Sequence, residues 1–361
     1  AWGDYNGDDY PDLFVTNYDP DVDSKLYHNN GDGTFTEIES SPLVTDASFS
    51  VSAAWGDYDG DGDQDLFVPN TNDENNFLYK NEGNGQFTKV TVGDIVNDGG
   101  KSVGASWGDY DNDCDLDLFV ANAGGQNNFL YQNNGDGTFT KITNSIVTTS
   151  GGNSHGSSWA DYDNDGDIDL LVTNDADENN FLYANNNDGT FTAIGNIITQ
   201  DGGKSFGAAW ADVDNDLDLD LHVSNHDEEE NFLYLNERGK CSSKACFTFV
   251  GTTSNRSAYG SRVKILATID GVQRWQMREL ASLTGGGIGG QSDQRTLIGL
   301  ADAGQIDSMI ITWASGIVQS FGAMAVDTCW TITEQDGSKV CGTVYNDENG
   351  NCVQDGNEEG I

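Results

Sequence analysis

The chain has 361 residues, of which 36% are hydrophobic, and a formal net charge of −44. This size and apolar content allow a substantial core and more than one domain. The acidic charge disfavours nucleic acid and anionic membranes as partners, and it would still be about −34 after binding five Ca²⁺ ions. The sequence contains no run of eighteen apolar residues, so it predicts no transmembrane helix.

A unit of about 52 residues recurs five times. Its tryptophans are 53, 52, 52 and 51 residues apart, at Trp2, Trp55, Trp107, Trp159 and Trp210. A period this regular predicts a repeat architecture, in which each unit buries its core against its neighbours. We therefore interpret the repeated aromatic residues as core, not as ligand contacts.

Each unit carries an acidic loop shortly after its tryptophan. Asp or Asn occupies loop positions one, three, five and nine, and position seven can offer a backbone carbonyl. Alternate side chains of a tight loop can converge on one centre, and such an all-oxygen cage suits Ca²⁺. No thiolate or imidazole recurs in the set, which disfavours zinc and copper. The alternative, a solvated acidic turn, is disfavoured because clustered carboxylates repel one another.

The predicted loops are called loops 1 to 5 in chain order. Their predicted ligands are Asp4, Asn6, Asp8, Tyr10 and Asp12 in loop 1; Asp57, Asp59, Asp61, Asp63 and Asp65 in loop 2; Asp109, Asp111, Asp113, Asp115 and Asp117 in loop 3; Asp161, Asp163, Asp165, Asp167 and Asp169 in loop 4; and Asp212, Asp214, Asp216, Asp218 and Asp220 in loop 5.

Position six of each loop should favour glycine, because a sharp turn there requires a positive φ. Gly62 and Gly166 fit this expectation, whereas Asp9, Cys114 and Leu217 do not. We therefore expect loops 1, 3 and 5 to bind the cation more weakly.

Short apolar runs follow the loops, as at residues 66–68 and 118–120, and an Asn-Phe-Leu-Tyr segment recurs at 76–79, 128–131, 180–183 and 231–234. With the tryptophan strand and a final Phe-Thr strand, these runs predict four antiparallel strands per repeat, the unit of a β-propeller blade. The unit resembles the FG-GAP/VCBS repeat over residues 1–250. The resemblance implies an all-β propeller of four-stranded blades, each with a Ca²⁺ loop between its first two strands.

Propellers of this family commonly close with seven blades, and five repeats are visible. The five would then be part of a seven-bladed ring, or the ring would be completed differently. Because the chain opens within a repeat, at Trp2, we expect the natural polypeptide to begin upstream.

The pattern changes after residue 250. The new pattern is formed by five segments, at residues 255–263, 278–279, 285–292, 298–300 and 313–316. In this order they resemble the ASPIC/UnbV module, which implies a small β domain, expected at residues 251–335, of a secreted protein related to cartilage acidic proteins. No Gly-Lys-Ser/Thr follows the glycine-rich stretch, so a phosphate-binding loop is disfavoured.

Residues 336–361 resemble the opening of an SdrD B-like surface domain. The predicted Ca²⁺ ligands there, at EF-hand spacing, are Asp347, Asn349, Asn351, Val353, Asp355 and Glu358. We expect a sheet edge to hold this acidic tail, either on its own module or on a neighbouring chain. The alternative is a disulfide from Cys341 or Cys352 to its own module.

The six cysteines favour an oxidising, extracellular setting, and the chain contains one glycosylation sequon. Their spacing permits disulfides between Cys241 and Cys246 and between Cys329 and Cys341. The sequon places a candidate glycan on Asn255, unless that side chain is buried within the module's own motif.

These features favour a non-catalytic extracellular Ca²⁺-binding protein of adhesion or assembly, such as a fibre subunit. Its partners would be other copies, other extracellular proteins or glycans. A lectin-like glycan-binding module and a Ca²⁺-dependent polysaccharide lyase are the alternatives. The four histidines recur at no common position and no catalytic triad is apparent, so we expect no enzyme. His222 stands between Leu221 and Val223, and we expect it to be packed.

Overall fold

The computed structural model describes residues 1–83, 85–237, 242–280, 285–286 and 295–335. The predicted ion site of the tail, at residues 347–358, lies outside the described residues, as do Cys241 and Cys341.

The first four repeats each form an antiparallel sheet of four strands in chain order. Their bounds are β1 Trp2–Gly3, β2 Asp12–Val15, β3 Lys25–Asn29 and β4 Phe35–Ile38; β5 Ala54–Gly56, β6 Asp65–Val68, β7 Phe77–Asn81 and β8 Phe87–Lys89; β9 Ser102–Gly108, β10 Asp117–Asn122, β11 Phe129–Asn133 and β12 Phe139–Ile142; β13 Ser154–Ala160, β14 Asp169–Asn174, β15 Phe181–Asn185 and β16 Phe191–Ala193. The predicted all-β fold of four-stranded repeats is thereby confirmed.

The acidic loop of each repeat joins its first strand to its second. In the third repeat Trp107 pairs with Leu118, and Leu118 pairs with Tyr131 on the next strand. Single helical turns follow the fourth strands, at Pro42–Val44, Asp94–Val96, Ile146–Thr149 and Ile197–Thr199. The strand register therefore brings the start of each second strand and the end of each third strand to the loop.

Neighbouring repeats are joined through the tryptophans. A Cβ added at Gly56 would lie 2.7 Å from the Trp107 ring, and Gly3 and Gly108 approach the next indole as closely. Trp107 Nε1 also donates to the carbonyl of Ala54 in the preceding repeat, at 3.2 Å. The interpretation of these aromatic residues as core is confirmed for Trp55, Trp159 and Trp210, which are at most 7% exposed.

An asparagine at the end of the third strand provides a second connection. Asn81 Nδ2 donates to the carbonyl of Tyr5 at 2.8 Å, and Asn133 Nδ2 donates to that of Tyr58 at 2.7 Å. The accepting tyrosine is position two of the acidic loop in the preceding repeat. Loops 1 to 4 are thus each fixed to the sheet of the next repeat.

The fifth repeat differs from the predicted four strands. Its described residues give three, β17 Ser205–Ala211, β18 Asp220–Asn225 and β19 Phe232–Tyr234. Here His222 is exposed, and the expectation that it is packed was wrong. The equivalent Phe67, Phe119 and Leu171 are 0% exposed, because the next repeat covers them, and within the described residues no further repeat covers His222.

The C-terminal module is a second β unit. Its strands are β20 Lys244–Val250, β21 Arg262–Ile269, β22 Val272–Glu279, β23 Gly285–Gly286, β24 Thr296–Gly299, β25 Ile306–Thr312, β26 Val318–Phe321 and β27 Thr328–Thr333. They form the sheets β24-β20-β27 and β22-β21-β25-β26, which enclose a core that includes Phe247, Ile265 and Trp313. The glycine strand β23 pairs with β13 of the fourth repeat.

Candidate metal centres

The acidic loops are shaped by hydrogen bonds from their own backbone. In loop 4, the carboxylate of Asp161 at position one accepts the amides of Asp165 and Gly166, at 3.1 and 3.0 Å. The carboxylate of Asp169 at position nine accepts the amides of Tyr162 and Asn185, at 3.1 and 2.9 Å. The same pattern recurs around the position-nine carboxylates of the other loops. The two ends of each loop therefore fold over a common centre.

The position-six prediction concerned the backbone turn. Gly62 and Gly166 have φ values of 95° and 100°, and Asp9, Cys114 and Leu217 adopt 72°, 74° and 69°. The predicted positive φ is thus confirmed in all five loops. Where glycine is missing, the backbone is held in a left-handed conformation that costs about 1–2 kcal/mol for a residue with a side chain.

The folding brings five sets of ligand atoms together, each set lying within 4.8 Å. In loops 3, 4 and 5 the sets come from positions one, three and nine, and in loop 2 from positions one, three and five. In loop 1 the set contains positions five and nine and a histidine. The sets are Asp8, Asp12 and His28; Asp57, Asp59 and Asp61; Asp109, Asp111 and Asp117; Asp161, Asp163 and Asp169; and Asp212, Asp214 and Asp220.

The carboxylates are buried deeply enough to need a counter-charge. Burial raises the pKa of Asp109 to about 7, of Asp161 to about 8 and of Asp65 to about 9. The Oδ1 atoms of Asp109 and Asp111 are buried without a hydrogen-bond partner. Buried, partnerless carboxylate oxygens facing one another are the donor set that a hard divalent cation accepts, so the residues present fit a calcium ion.

Not all predicted ligands join these sets. The position-five residues Asp113, Asp165 and Asp216 are outside them. Two position-seven side chains connect neighbouring loops instead: Asp167 accepts from Asn112 at 2.6 Å and Asp218 from Asn164 at 2.8 Å. Tyr10 at position seven of loop 1 is 47% exposed.

The residue after the tyrosine of each third strand was missed at the sequence level. It is His28, Lys80 and Gln132 in the first three repeats. The Lys80 ammonium contacts Asp59 and lies 3.1 Å from Asp61 Oδ2, and Gln132 Nε2 donates to Asp111 Oδ2 at 2.6 Å. The recurring tyrosine shows where this residue stands in the sequence. Only the pairing of the strands shows that the residue after the tyrosine faces the acidic loop.

The C-terminal module supplies cations to the same loops. Arg295 donates to the carbonyl of Asp212 at 2.6 Å and lies 3.4 Å from its carboxylate. Lys244 contacts Asp218. The amide of Gly299 donates to Asp161 Oδ2 at 3.0 Å, where a Cβ would collide with that oxygen at 2.2 Å. The module therefore contacts loops 4 and 5 through side chains and backbone.

The structure also shows the surroundings of the candidate glycosylation site and of two of the candidate disulfide cysteines. Asn255 is 2% exposed, and its Nδ2, the atom that would carry a glycan, donates to the carbonyl of Tyr259 at 2.7 Å. Glycosylation there would break this bond in a site without space. Cys246 is buried and faces Cys329, its register partner on β27, and both are free thiols.

Sequence comparison decides the family. The FG-GAP-like repeat family matches residues 4–68, 59–120, 109–172 and 161–223, more than half of the chain. The chain belongs to the FG-GAP-like repeat family. The ASPIC and UnbV family matches residues 251–339, which confirms the predicted order of repeats and module.

FG-GAP-like repeats and ASPIC/UnbV modules usually occur in extracellular or cell-surface proteins. Within the part of the chain that the structure describes, no helix has the length and apolar character of a membrane span. Comparison with curated proteins gives no match.

Several solved structures are similar to the chain. One is an Agrocybe aegerita lectin that recognises non-reducing terminal N-acetylglucosamine, with 20% identity, a TM-score of 0.47, and coverage of 66% of this chain and 63% of the lectin. Another is the V. cholerae biofilm matrix protein Bap1, with 15% identity, a TM-score of 0.38, and coverage of 88% and 56%. The exotype rhamnogalacturonan lyase YesX has 12% identity, a TM-score of 0.36, and coverage of 91% and 72%. The chain spans less than two thirds of the lectin and of Bap1.

Proposed function

We propose that the chain is a non-catalytic extracellular protein of adhesion or assembly, in which calcium ions bound to the acidic loops stabilise the repeats. The observation that carries this proposal is the convergence of three carboxylates, at least one of them buried, in each of loops 2 to 5, with Oδ1 atoms of Asp109 and Asp111 lacking a hydrogen-bond partner. A Ca²⁺ ion would neutralise these charges and satisfy these oxygens at once.

Calcium would act on the fold because loops 1 to 4 are each fixed to the next repeat. Position two of loop 3, Tyr110, presents its carbonyl to Asn185 of the next repeat at 2.6 Å. An ion that orders the loop would also order this contact. Binding to the folded state alone stabilises by about 2.7 kcal/mol per site at a hundredfold excess over Kd.

The experiment is thermal unfolding of the full chain in millimolar Ca²⁺ and after chelation. We expect chelation to lower the melting temperature strongly and Mg²⁺ to restore less of it, because Mg²⁺ demands octahedral geometry and dehydrates reluctantly. An unchanged melt would contradict the role of calcium in stability.

The assembly part of the proposal is supported by the outer faces of the repeat stack. In the first repeat Trp2 and Phe35 are 42% and 46% exposed, and their rings contact each other at 6.1 Å. In the fifth repeat Leu233 and Leu235 are 57% and 53% exposed. Elsewhere in the stack such faces are covered by a neighbouring repeat, so these two faces are suited to contact a further repeat of the same protein, another copy or another extracellular protein.

Light scattering tests this part, with electron microscopy of the native material. Head-to-tail contact between the two faces would be heterologous and would propagate into filaments unless it closed a ring. We expect Leu233→Glu to reduce assembly without lowering the calcium-dependent melting temperature. A chain that is monomeric at all concentrations, with and without the substitution, would exclude self-assembly.

A lectin-like role is the second candidate, supported by a cavity of about 420 Å³ lined by Thr16, Tyr18, Thr71, His155 and Phe206 among others. Tyr18 is 62% exposed and packs on Phe49 at 5.7 Å. Flat aromatic faces beside hydroxyl groups suit sugar rings. Binding on a glycan array that Tyr18→Ala abolishes would support this candidate, and we expect no cleavage of polyuronates.

A further inference from the structure

We propose that loop 1, unlike the other four loops, is a site for an imidazole-preferring divalent transition metal such as Zn²⁺, bound by His28 together with Asp8 and Asp12. This inference concerns loop 1 only and does not depend on calcium binding in loops 2 to 5.

The geometry of the three side chains carries the proposal. His28 Nδ1 lies 3.2 Å from Asp12 Oδ1 and 3.6 Å from Asp8 Oδ2. Two ligands that share a tetrahedral centre with bonds of about 2.1 Å are about 3.4 Å apart, and the two measured separations bracket this value. The Asp12 side chain is 0% exposed, that of His28 is 25% exposed and that of Asp8 is 34% exposed, so one ligand is fixed in the core and the other two lie nearer the solvent.

The composition of loop 1 points away from calcium. Position three is Asn6, where loops 2 to 5 have aspartate, so loop 1 has one carboxylate fewer among positions one, three, five and nine. Asp4 at position one is outside the set of converging ligand atoms. Its two oxygens accept the amides of Asp8 and Asp9, at 3.1 and 2.8 Å. A site with one carboxylate fewer attracts Ca²⁺ less strongly, whereas an added nitrogen donor favours zinc and its neighbours.

The position occupied by His28 is chemically different in each repeat. Lys80 contributes an ammonium to loop 2 and Gln132 contributes an amide to loop 3, and the residue is Ala184 in the fourth repeat and Leu235 in the fifth. The residue at this position therefore faces the loop in the first three repeats. In the first repeat its side chain offers a nitrogen atom, His28 Nδ1, that can bind a metal ion. The residue at this position therefore changes which cation a repeat prefers, while the strands and the loop around it stay the same.

No other described imidazole belongs to a set of three converging ligand atoms. The rings of His155 and His226 contact Phe206, at 4.6 and 4.2 Å. His226 Nε2 lies 2.8 Å from Asp175 Oδ1, and His155 Nε2 is 3.8 Å from the other oxygen of that residue. His226→Gln thus removes an imidazole and carboxylate pair of comparable exposure outside the acidic loops, and it serves as the matched control.

The test uses the full chain, freed of metal by chelation and then held in excess Ca²⁺ so that the all-oxygen loops are saturated. Co²⁺ is titrated as a spectroscopic probe of the zinc site, and Zn²⁺ is titrated in competition. We expect visible d–d bands that saturate at one equivalent and are displaced by Zn²⁺. Thiolate ligation at a cysteine would be recognised by intense near-ultraviolet charge-transfer bands.

His28→Gln places in loop 1 the residue that repeat three carries, and we expect it to weaken Co²⁺ binding at least tenfold. His226→Gln, the control, should leave Co²⁺ binding unchanged. Asp8→Asn removes a second proposed ligand and should also weaken Co²⁺ binding. Calcium-dependent melting of each variant verifies folding. The proposal is overturned if the wild type shows no Co²⁺ bands in Ca²⁺, if the bands carry thiolate character, or if they persist in a folded His28→Gln variant. Each of these results would leave the calcium-dependent melt of the wild type, and thus the proposed function, intact.

Discussion

Arg262 of the C-terminal module donates a hydrogen bond to the backbone carbonyl of Asp57, and its Nη2 lies 3.4 Å from Asp57 Oδ2. Asp57 is position one of loop 2. The same guanidinium lies 3.1 Å from Glu279 Oε2 through Nε, and the side chains of Asp57 and Glu279 are 5% and 4% exposed. One arginine therefore pairs with two buried carboxylates, one on each side of the contact between module and repeat.

Arg262→Gln is expected to destabilise the chain by about 3 kcal/mol when no metal is bound, because it leaves two buried charges uncompensated. Calcium should restore part of this loss by neutralising Asp57. Denaturant unfolding with and without Ca²⁺ measures both effects. Lys25→Gln, which removes an exposed ion pair with Glu37, is the control and should have little effect on stability. Equal costs for the two substitutions would contradict the role of Arg262.

Asp111→Asn should reduce the stabilisation by calcium, because Asp111 joins the ligand set of loop 3 and its Oδ1 has no partner in the protein. Losing one site that is saturated a hundredfold over Kd removes about 2.7 kcal/mol of calcium-dependent stability. Asp136→Asn, in an exposed turn of the same repeat, is the control. Titration calorimetry should show one ion fewer for Asp111→Asn only.

The Lys80 ammonium should compete with a bound cation for the carboxylates of loop 2. Its ammonium contacts Asp59 and lies 3.1 Å from Asp61 Oδ2, where a metal ion would also bind. Lys80→Gln, which copies Gln132 of the next repeat, should raise the calcium affinity of loop 2 by about tenfold, or about 1.4 kcal/mol. Lys89→Gln removes a lysine that pairs with Asp46 at 2.9 Å, and it should leave the calcium affinity unchanged. Calorimetry that finds no difference between the two variants would contradict competition.

The stability of the metal-free chain should fall as pH rises. Burial raises the pKa of Asp109 to about 7, of Asp161 to about 8 and of Asp65 to about 9. Between about pH 4 and these values the folded chain binds more protons than the unfolded chain, so unfolding releases protons and is favoured by higher pH. Urea unfolding in chelator from pH 5 to 9 should show this decline. Calcium should flatten it, because the ion replaces the protons.

Cys246 and Cys329 should form a disulfide in an oxidising medium. They are register partners on the parallel strands β20 and β27, and neighbouring strands lie about 4.8 Å apart, within the Cα separation that a disulfide allows. Two thiols would lose two protons and two electrons to an external disulfide oxidant. Peptide mapping without reduction should recover this pair. Recovery of Cys246 linked to Cys241 would support the pairing expected from sequence spacing instead.

The amino-acid sequence by itself determined the repeat, its four strands and the acidic loops. These features are local: the period of the tryptophans, the alternation of carboxylates and the Asn-Phe-Leu-Tyr segment all lie within about 52 residues. Even the positive φ at position six followed from the loop alone, although Asp9, Cys114 and Leu217 adopt it without being glycine.

Only the tertiary structure decided which side chains from other parts of the chain contact each loop. His28 contacts Asp12, sixteen residues away in the sequence, and Arg262 contacts Asp57, 205 residues away. No local sequence pattern therefore predicts either contact. It also decided that His222 is exposed, because packing depends on whether another repeat covers that face. Strand pairing and the contact between module and repeats place these side chains, and both depend on interactions distant along the chain.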